Sequence, residues 1–141
     1  FVRVIITKSW QDKEGKKNTT LSPDLIELNF LTDNGWQIAN AQSTKERTVL
    51  YYTMAVAAGD TTPALSNTLR INPSIASDVT KHVTESEKGK SITYTYKYNG
   101  YTFHIDAEVD AVQTHNAKDA IKSAWGVDIN VSDDETTMSL Q

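Results

Sequence analysis

At 141 residues, with a formal net charge of −4 and no cysteine, the chain has the length of a single domain, since domains most often run to about 100–150 residues. The lack of cysteine excludes disulfide frameworks, thiolate nucleophiles and Cys-ligated zinc together, and the acidic balance argues against a nucleic-acid partner, which calls for a basic stripe. No apolar run is long enough to span a membrane as a helix, while frequent Thr, with Tyr and Val, suits a pleated, half-buried surface.

The first element is an apolar β-type run, Phe1, Val2, Arg3, Val4, Ile5 and Ile6, continuing through Lys8 to Trp10. A domain seldom begins in mid-strand, so residues upstream, among them an N-terminal strand, are expected in the natural protein. A polar loop around Gly15 follows. Leu25, Ile26, Leu28, Phe30 and Leu31 predict a second strand closed by Asp33-Asn34-Gly35, residues 36–39 a short third, and residues 48–56 a fourth closed by Ala58-Gly59-Asp60. Residues 64–71 read as a fifth strand with Leu65, Asn67, Leu69 and Ile71 on one face, ended by Pro73. Residues 74–83, with Ser74, Ile75, Val79 and Val83, read as one or two helical turns.

The clearest local signal is Asn99-Gly100, the preferred pair for a two-residue type I′ turn. Folding there sets Tyr98 opposite Tyr101, Tyr96 opposite Phe103, Tyr94 opposite Ile105 and Ile92 opposite Ala107, all on one face. Lys97, Thr95, Thr93 and Ser91 then meet Thr102, His104, Asp106 and Glu108 on the other. A one-residue slip would mix the two sets, so the pattern predicts a hairpin over residues 91–112 in a single register. A helix over 117–125 follows: Ala117, Ala120, Ile121, Ala124 and Trp125 form one apolar stripe, Asn116 is the candidate N-cap, Asp119 suits the N-terminal dipole and Gly126 suits the C-terminus. So short a helix is marginal alone and is expected to pack on the sheet through Ile121 and Trp125. Val127, Ile129 and Val131 alternate as a last strand, and residues 132–141 read as a polar tail. Seven or eight short strands with turn signals between them predict a mostly β fold, an antiparallel β-sandwich over residues 1–131 with one short α-helix near the C-terminus.

Catalytic patterns are missing. His82, His104 and His115 match no zinc-binding helix spacing; there is no nucleophile elbow and, with six scattered glycines, no phosphate loop. Asp106, Glu108 and Asp110 project from one side of a strand and form the one array of hard oxygen ligands suited to Ca²⁺. No Asp-rich loop with a Gly turn accompanies them, and a solvated strand face explains them equally, so no metal and no cofactor is assigned. Tyr94, Tyr96, Tyr98 and Tyr101 could stack sugars or bases, although cross-strand aromatics more often form core.

Three stretches together resemble one family. Phe1-Val2-Arg3-Val4 resembles the YVRV strand of camelysin/TasA-like proteins; residues 51–65, YYTMAVAAGDTTPAL, resemble their tyrosine strand, Gly turn and Thr-rich strand; and residues 107–125, AEVDAVQTHNAKDAIKSAW, resemble their closing Ala-Val-Gln to Ala-Trp segment. The resemblance runs from residue 1 to about 131. At the turn Ala58-Gly59 replaces the family's Pro-Gly, which loosens it without forbidding it. The resemblance implies a jelly-roll-like sandwich and export from a Gram-positive bacterium through a dedicated signal peptidase. It further implies a structural role at the cell surface or in the biofilm matrix, with other copies of the chain or matrix components as partners and strand exchange as the means of assembly; that the chain is not an enzyme is expected from its missing catalytic patterns, not from the resemblance. Two alternatives accompany it: an adhesin binding carbohydrate or host surfaces through exposed Tyr and Thr faces, and a metal-dependent peptidase of camelysin type with His82, His104 or His115 as metal ligands, to which no catalytic residue carries over from the family.

Overall fold

The computed structural model describes residues 1–86 and 89–141. In chain order the strands are β1 Val2–Gln11, β2 Lys17–Asn18, β3 Ile26–Phe30, β4 Trp36–Ile38, β5 Arg47–Tyr52, β6 Ser66–Ile71, β7 Val79–Ser86, β8 Gly89–Tyr96, β9 Thr102–Ala111, β10 Ile129–Val131 and β11 Met138–Leu140, with one helix, α1 Ala117–Trp125, between β9 and β10. Every pairing is antiparallel. The fold is mostly β, with a short helix near the C-terminus, as the sequence predicts.

β1 is the centre. On one side it pairs with β9 along its whole length, Val2 opposite Ala111 through Gln11 opposite Thr102. On the other it pairs first with β5 and then with β2, and β5 carries β4 beyond it. A central strand is covered on both faces, which is why β1 reads as a continuous apolar run and not as an alternation. Phe1 and Ile5 face one layer, where Val49 and Tyr51 of β5 pack with Ala117 and Ile121 of α1, Ile129 and Met138. Val4 and Ile6 face the other, where Trp36, Leu50 and Tyr52 meet Leu28 and Phe30 of β3. β3 and β6 form that second layer as a separate pair, and a smaller cluster of Trp10, Leu21 and Ile26 closes one end with Tyr98 and Tyr101 at its rim.

The helix occupies the predicted residues and packs as expected, with Ile121 fully buried and the Trp125 ring 5.6 Å from that of Tyr51. Its start differs from the expectation. Asn116 stands at the N-cap but in the left-handed region, φ 54°, and its side chain caps nothing; its backbone N–H instead donates to Glu135 Oε1 at 2.8 Å. Gly126, φ 69°, ends the helix with its N–H donating to the Lys122 carbonyl at 3.0 Å.

Four further segments depart from the sequence reading. Residues 74–83 are not helical throughout: a 3-10 turn at Pro73–Ser77 gives way to β7. The fourth strand stops at Tyr52: the Thr53 N–H still donates to the Gly35 carbonyl in the β4 register, and beyond it the chain leaves β1 and Met54 bridges Thr137. Residues 132–141 are not a free polar tail: β11 pairs with β10 and buries Met138 against the helix layer. Most important, β8 and β9 do not form a hairpin. β8 pairs with β7, and β9 pairs with β1. The turn between them exists, with the Tyr101 N–H on the Tyr98 carbonyl at 3.1 Å, but only Gly100 has positive φ, 82°. A type I′ turn needs positive φ at both central residues, so the twist that would bring the strands together is lacking.

Candidate functional site

β9 alternates Phe103, Ile105, Ala107, Val109 with His104, Asp106, Glu108, Asp110. Its phase against β1 is set by the residues just beyond the ladder, where the Phe1 nitrogen donates to the Val112 carbonyl at 2.8 Å and the Val112 N–H donates to the Phe1 carbonyl at 3.0 Å. In an antiparallel ladder such reciprocal pairs alternate with pairs whose amides point apart. Thr102, His104, Asp106, Glu108 and Asp110 therefore turn their backbone groups to β1, while Phe103, Ile105, Ala107, Val109 and Ala111 turn theirs away. Among the described residues nothing pairs with that outer side. The free edge thus carries its donors and acceptors on the residues whose side chains are apolar, and Val109 is 66% exposed. A long exposed edge of this kind is a template for another strand.

The β7–β8 hairpin presents a second edge with no partner among the described residues. Its register, Val79 opposite Tyr96 through Ser86 opposite Gly89, segregates the side chains. Val79, Val83, Ile92, Tyr94 and Tyr96 share one face with Lys81 and Glu85, and Thr80, His82, Thr84, Thr93 and Thr95 share the other. Both faces are exposed, with Tyr94 at 54% and Tyr96 at 51%. The Lys97 N–H donates to the Asp78 carbonyl at 3.0 Å, so the even-numbered residues of β8 direct their amides away from β7. At the foot of the hairpin the Lys97 ammonium meets Asp78 Oδ2 at 2.9 Å and lies 5.2 Å from the centre of the Tyr98 ring. The hydrogen bond to Asp78 raises the Lys97 pKa above its ordinary 10.5.

The tyrosines are divided. Tyr98 and Tyr101 stack edge to face at 5.3 Å on the small end cluster, whereas Tyr94 and Tyr96 stand in solvent, with Lys81 Nζ 5.9 Å from the Tyr94 ring centre. β7 itself was legible: Val79, Lys81, Val83 and Glu85 alternate strictly with Thr80, His82, Thr84 and Ser86. That period of two overlaps the spacing of Ser74, Ile75, Val79 and Val83, which also fits a helix.

The three histidines stay apart. His82 lies on β7, His104 on β9 opposite Ser9, and His115 in the turn before α1, where it is 94% exposed and 3.8 Å from Glu135. Among the described residues no three His, Asp or Glu side chains form a metal-holding group. Asp106, Glu108 and Asp110 do share one face of β9, opposite Thr7, Ile5 and Arg3. Asp110, however, is engaged: Arg3 Nη2 and Nε both donate to its Oδ2, at 2.6 and 3.0 Å, and the Arg3 guanidinium lies 5.2 Å from the centre of the Trp125 ring. The charge pair thereby ties β1, β9 and α1 together.

On the opposite layer, Lys8 crosses from β1 to donate to the Ile26 carbonyl at 2.8 Å, and its burial there lowers its pKa. Glu27 accepts from Arg70 Nε at 2.6 Å and Asn72 Nδ2 at 2.7 Å, which hold its carboxyl below the ordinary value. These contacts brace β3 against β6 and β1, and they bring no reactive pair together. Comparison of the chain with protein-family models, with curated proteins and with solved structures gives no match.

Proposed function

We propose that this chain is a secreted cell-surface or biofilm-matrix structural module of a Gram-positive bacterium that associates with further copies by strand addition. The carrying observation is the outer edge of β9, where outward amides and exposed apolar side chains belong to the same residues. A strand laid there would gain main-chain hydrogen bonds and bury Phe103 and Val109 at once, the two ingredients of β-augmentation. Export, matrix location and the jelly-roll order belong to this proposal through the resemblance to camelysin/TasA-like proteins. The test is light scattering and electron microscopy of the purified protein over a wide concentration range. Concentration-dependent oligomers or fibres are expected, and a monomer at every concentration would overturn the reading.

A carbohydrate- or host-binding adhesin is the second reading, favoured by one observation: Tyr94 and Tyr96 are exposed side by side on one face of the hairpin. Exposed aromatic faces suit the apolar faces of sugar rings. Glycan binding lost in Tyr94→Ala and Tyr96→Ala, with association unchanged, would favour it over the first. A metal-dependent peptidase has no comparable support, since the histidines lie on three separate segments.

A further inference from the structure

Among the described residues β8 and β9 each leave one edge unpaired, and five residues, 97–101, join them. Both edges present the amides of apolar residues: Ile92, Tyr94 and Tyr96 on β8, and Phe103, Ile105 and Ala107 on β9. With Tyr96 set opposite Phe103 across the Tyr98–Tyr101 turn, outward amides meet outward amides at 96 and 103, 94 and 105, and 92 and 107. The same register places the apolar side chains of both strands on one face, and Thr95 and Thr93 beside His104 and Asp106 on the other. A shift by one residue would lose both matches together.

The turn already carries the first bond of that ladder, from the Tyr101 N–H to the Tyr98 carbonyl at 3.1 Å. A competing bond stands beside it. The Tyr96 carbonyl accepts from the Asn99 N–H at 3.2 Å, whereas in the paired register it would accept from the Phe103 N–H. Exchanging one donor for the other breaks neither the β7–β8 ladder nor the β1–β9 ladder. The backbone change falls on residues 97–101, where Gly100 already occupies positive φ and accepts the dihedrals of either arrangement.

We propose that the β7–β8 hairpin is a hinged flap with a second, closed position, in which β8 pairs with the free edge of β9 and occupies the amides that an incoming strand would use. The closure stands on register and amide direction alone. Its consequence, that the closed flap blocks association, rests on the strand-addition reading. In the open position both edges are available to a partner; in the closed position the chain satisfies them itself.

The experiment uses the cysteine-free background of the chain. Thr95→Cys with His104→Cys places two thiols on directly opposed positions of the closed register, both at exposed sites. Ser91→Cys with His104→Cys serves as the off-register control. Under mild oxidant at high dilution, the first pair is expected to lose its free thiols in an intramolecular disulfide, seen by intact mass and a non-reducing gel, while the control pair stays reduced. A Thr95/His104 pair that stays reduced, or that cross-links only between molecules, would overturn the closure. For gating, the oxidised protein is expected to lose concentration-dependent scattering and to regain it with reductant. Scattering that survives oxidation overturns the gating. A wild-type protein that never associates overturns the strand-addition reading while leaving the thiol result to decide the closure.

Discussion

Phe1 and Val112 exchange both of their backbone hydrogen bonds, at 2.8 and 3.0 Å, and this pair sets the phase of the whole β1–β9 ladder. It follows that Ala107 and Glu108, neighbours in sequence, turn their amides in opposite directions. Ala107→Pro removes an outward donor that has no partner among the described residues, so the thermal midpoint should change little while association falls. Glu108→Pro removes a donor directed at β1 and should destabilise the fold by roughly 1–3 kcal/mol, the cost of orphaning a ladder group. Denaturant melts and light scattering on both variants check this. Equal loss of stability in the two would mean that the phase is misassigned.

Gly35 stands at φ 99°, and a β-carbon there would lie 2.7 Å from Met54 Cε and 2.8 Å from Tyr52 Cε2. The methionine end can move, but the Tyr52 ring is held against Trp36 at 5.3 Å. Gly35→Ala should therefore cost more than backbone strain alone, which is about 1–3 kcal/mol. Urea denaturation measures it, and a neutral substitution would show that the β4 turn adapts freely.

Ile121 is fully buried between α1 and the sheet. Ile121→Ala should destabilise the protein by about 2–5 kcal/mol, transfer and cavity together. Near-ultraviolet circular dichroism should report the change at Trp125 and Tyr51. A cost below 1 kcal/mol, roughly that of deleting one methylene, would mean that the helix is not docked as described.

Glu27 is held below its ordinary pKa of 4.5, first by the hydrogen bond from Arg70 and then by that from Asn72. A depressed folded pKa makes a contribution that is complete above 4.5 and disappears as pH falls through the lower folded value. Asp134, lowered by Ser132 and Thr136, acts with the same sign. Stability should therefore decline on acidification below about pH 4.5, with a shallower decline in Glu27→Gln. Lys97 acts at the other end: its raised pKa gives a contribution present below 10.5 and lost as pH rises through the higher folded value. Thermal melts across the pH range test both, and an unchanged acid slope in Glu27→Gln would refute the first.

Asp110 spends both of its contacts with Arg3 on one oxygen, which leaves Asp106 and Glu108 as a pair too sparse for a calcium cage that wants 6–8 oxygens. Millimolar Ca²⁺ should leave the melting temperature unchanged. A calcium-dependent rise abolished by Asp106→Asn with Glu108→Gln would contradict this. Asp110→Ala, by stranding the largely covered Arg3 guanidinium, should cost roughly 1.5–3 kcal/mol.

Much of this architecture is readable residue by residue. The apolar run at Phe1 to Ile6 marks a strand, though not its central place, the stripe from Ala117 to Trp125 marks the helix, and the alternation in residues 91–98 and 102–111 assigns each side chain of β8 and β9 to its face. Those features depend on steric and hydrophobic periodicity within a few residues, which the chain carries locally. The candidate site was legible only in part: its residues and faces were visible, but the pattern sent Tyr96 to Phe103, whereas the fold sends Phe103 to Trp10 and Tyr96 to Val79.

Which strand lies beside which is a contest between partners distant in the chain, and the local pattern serves every partner of the right phase equally well. β1 offers β9 a ladder along its whole length over a covered core, while the Asn99-Gly100 turn offers only proximity. The sequence by itself determined that β9 has one apolar face, one acidic face and a register in phase with β8. Only the tertiary structure decided that β1 takes its inner edge and that the outer edges of β8 and β9 find no partner among the described residues, because long-range packing, and not the turn, selects the neighbour.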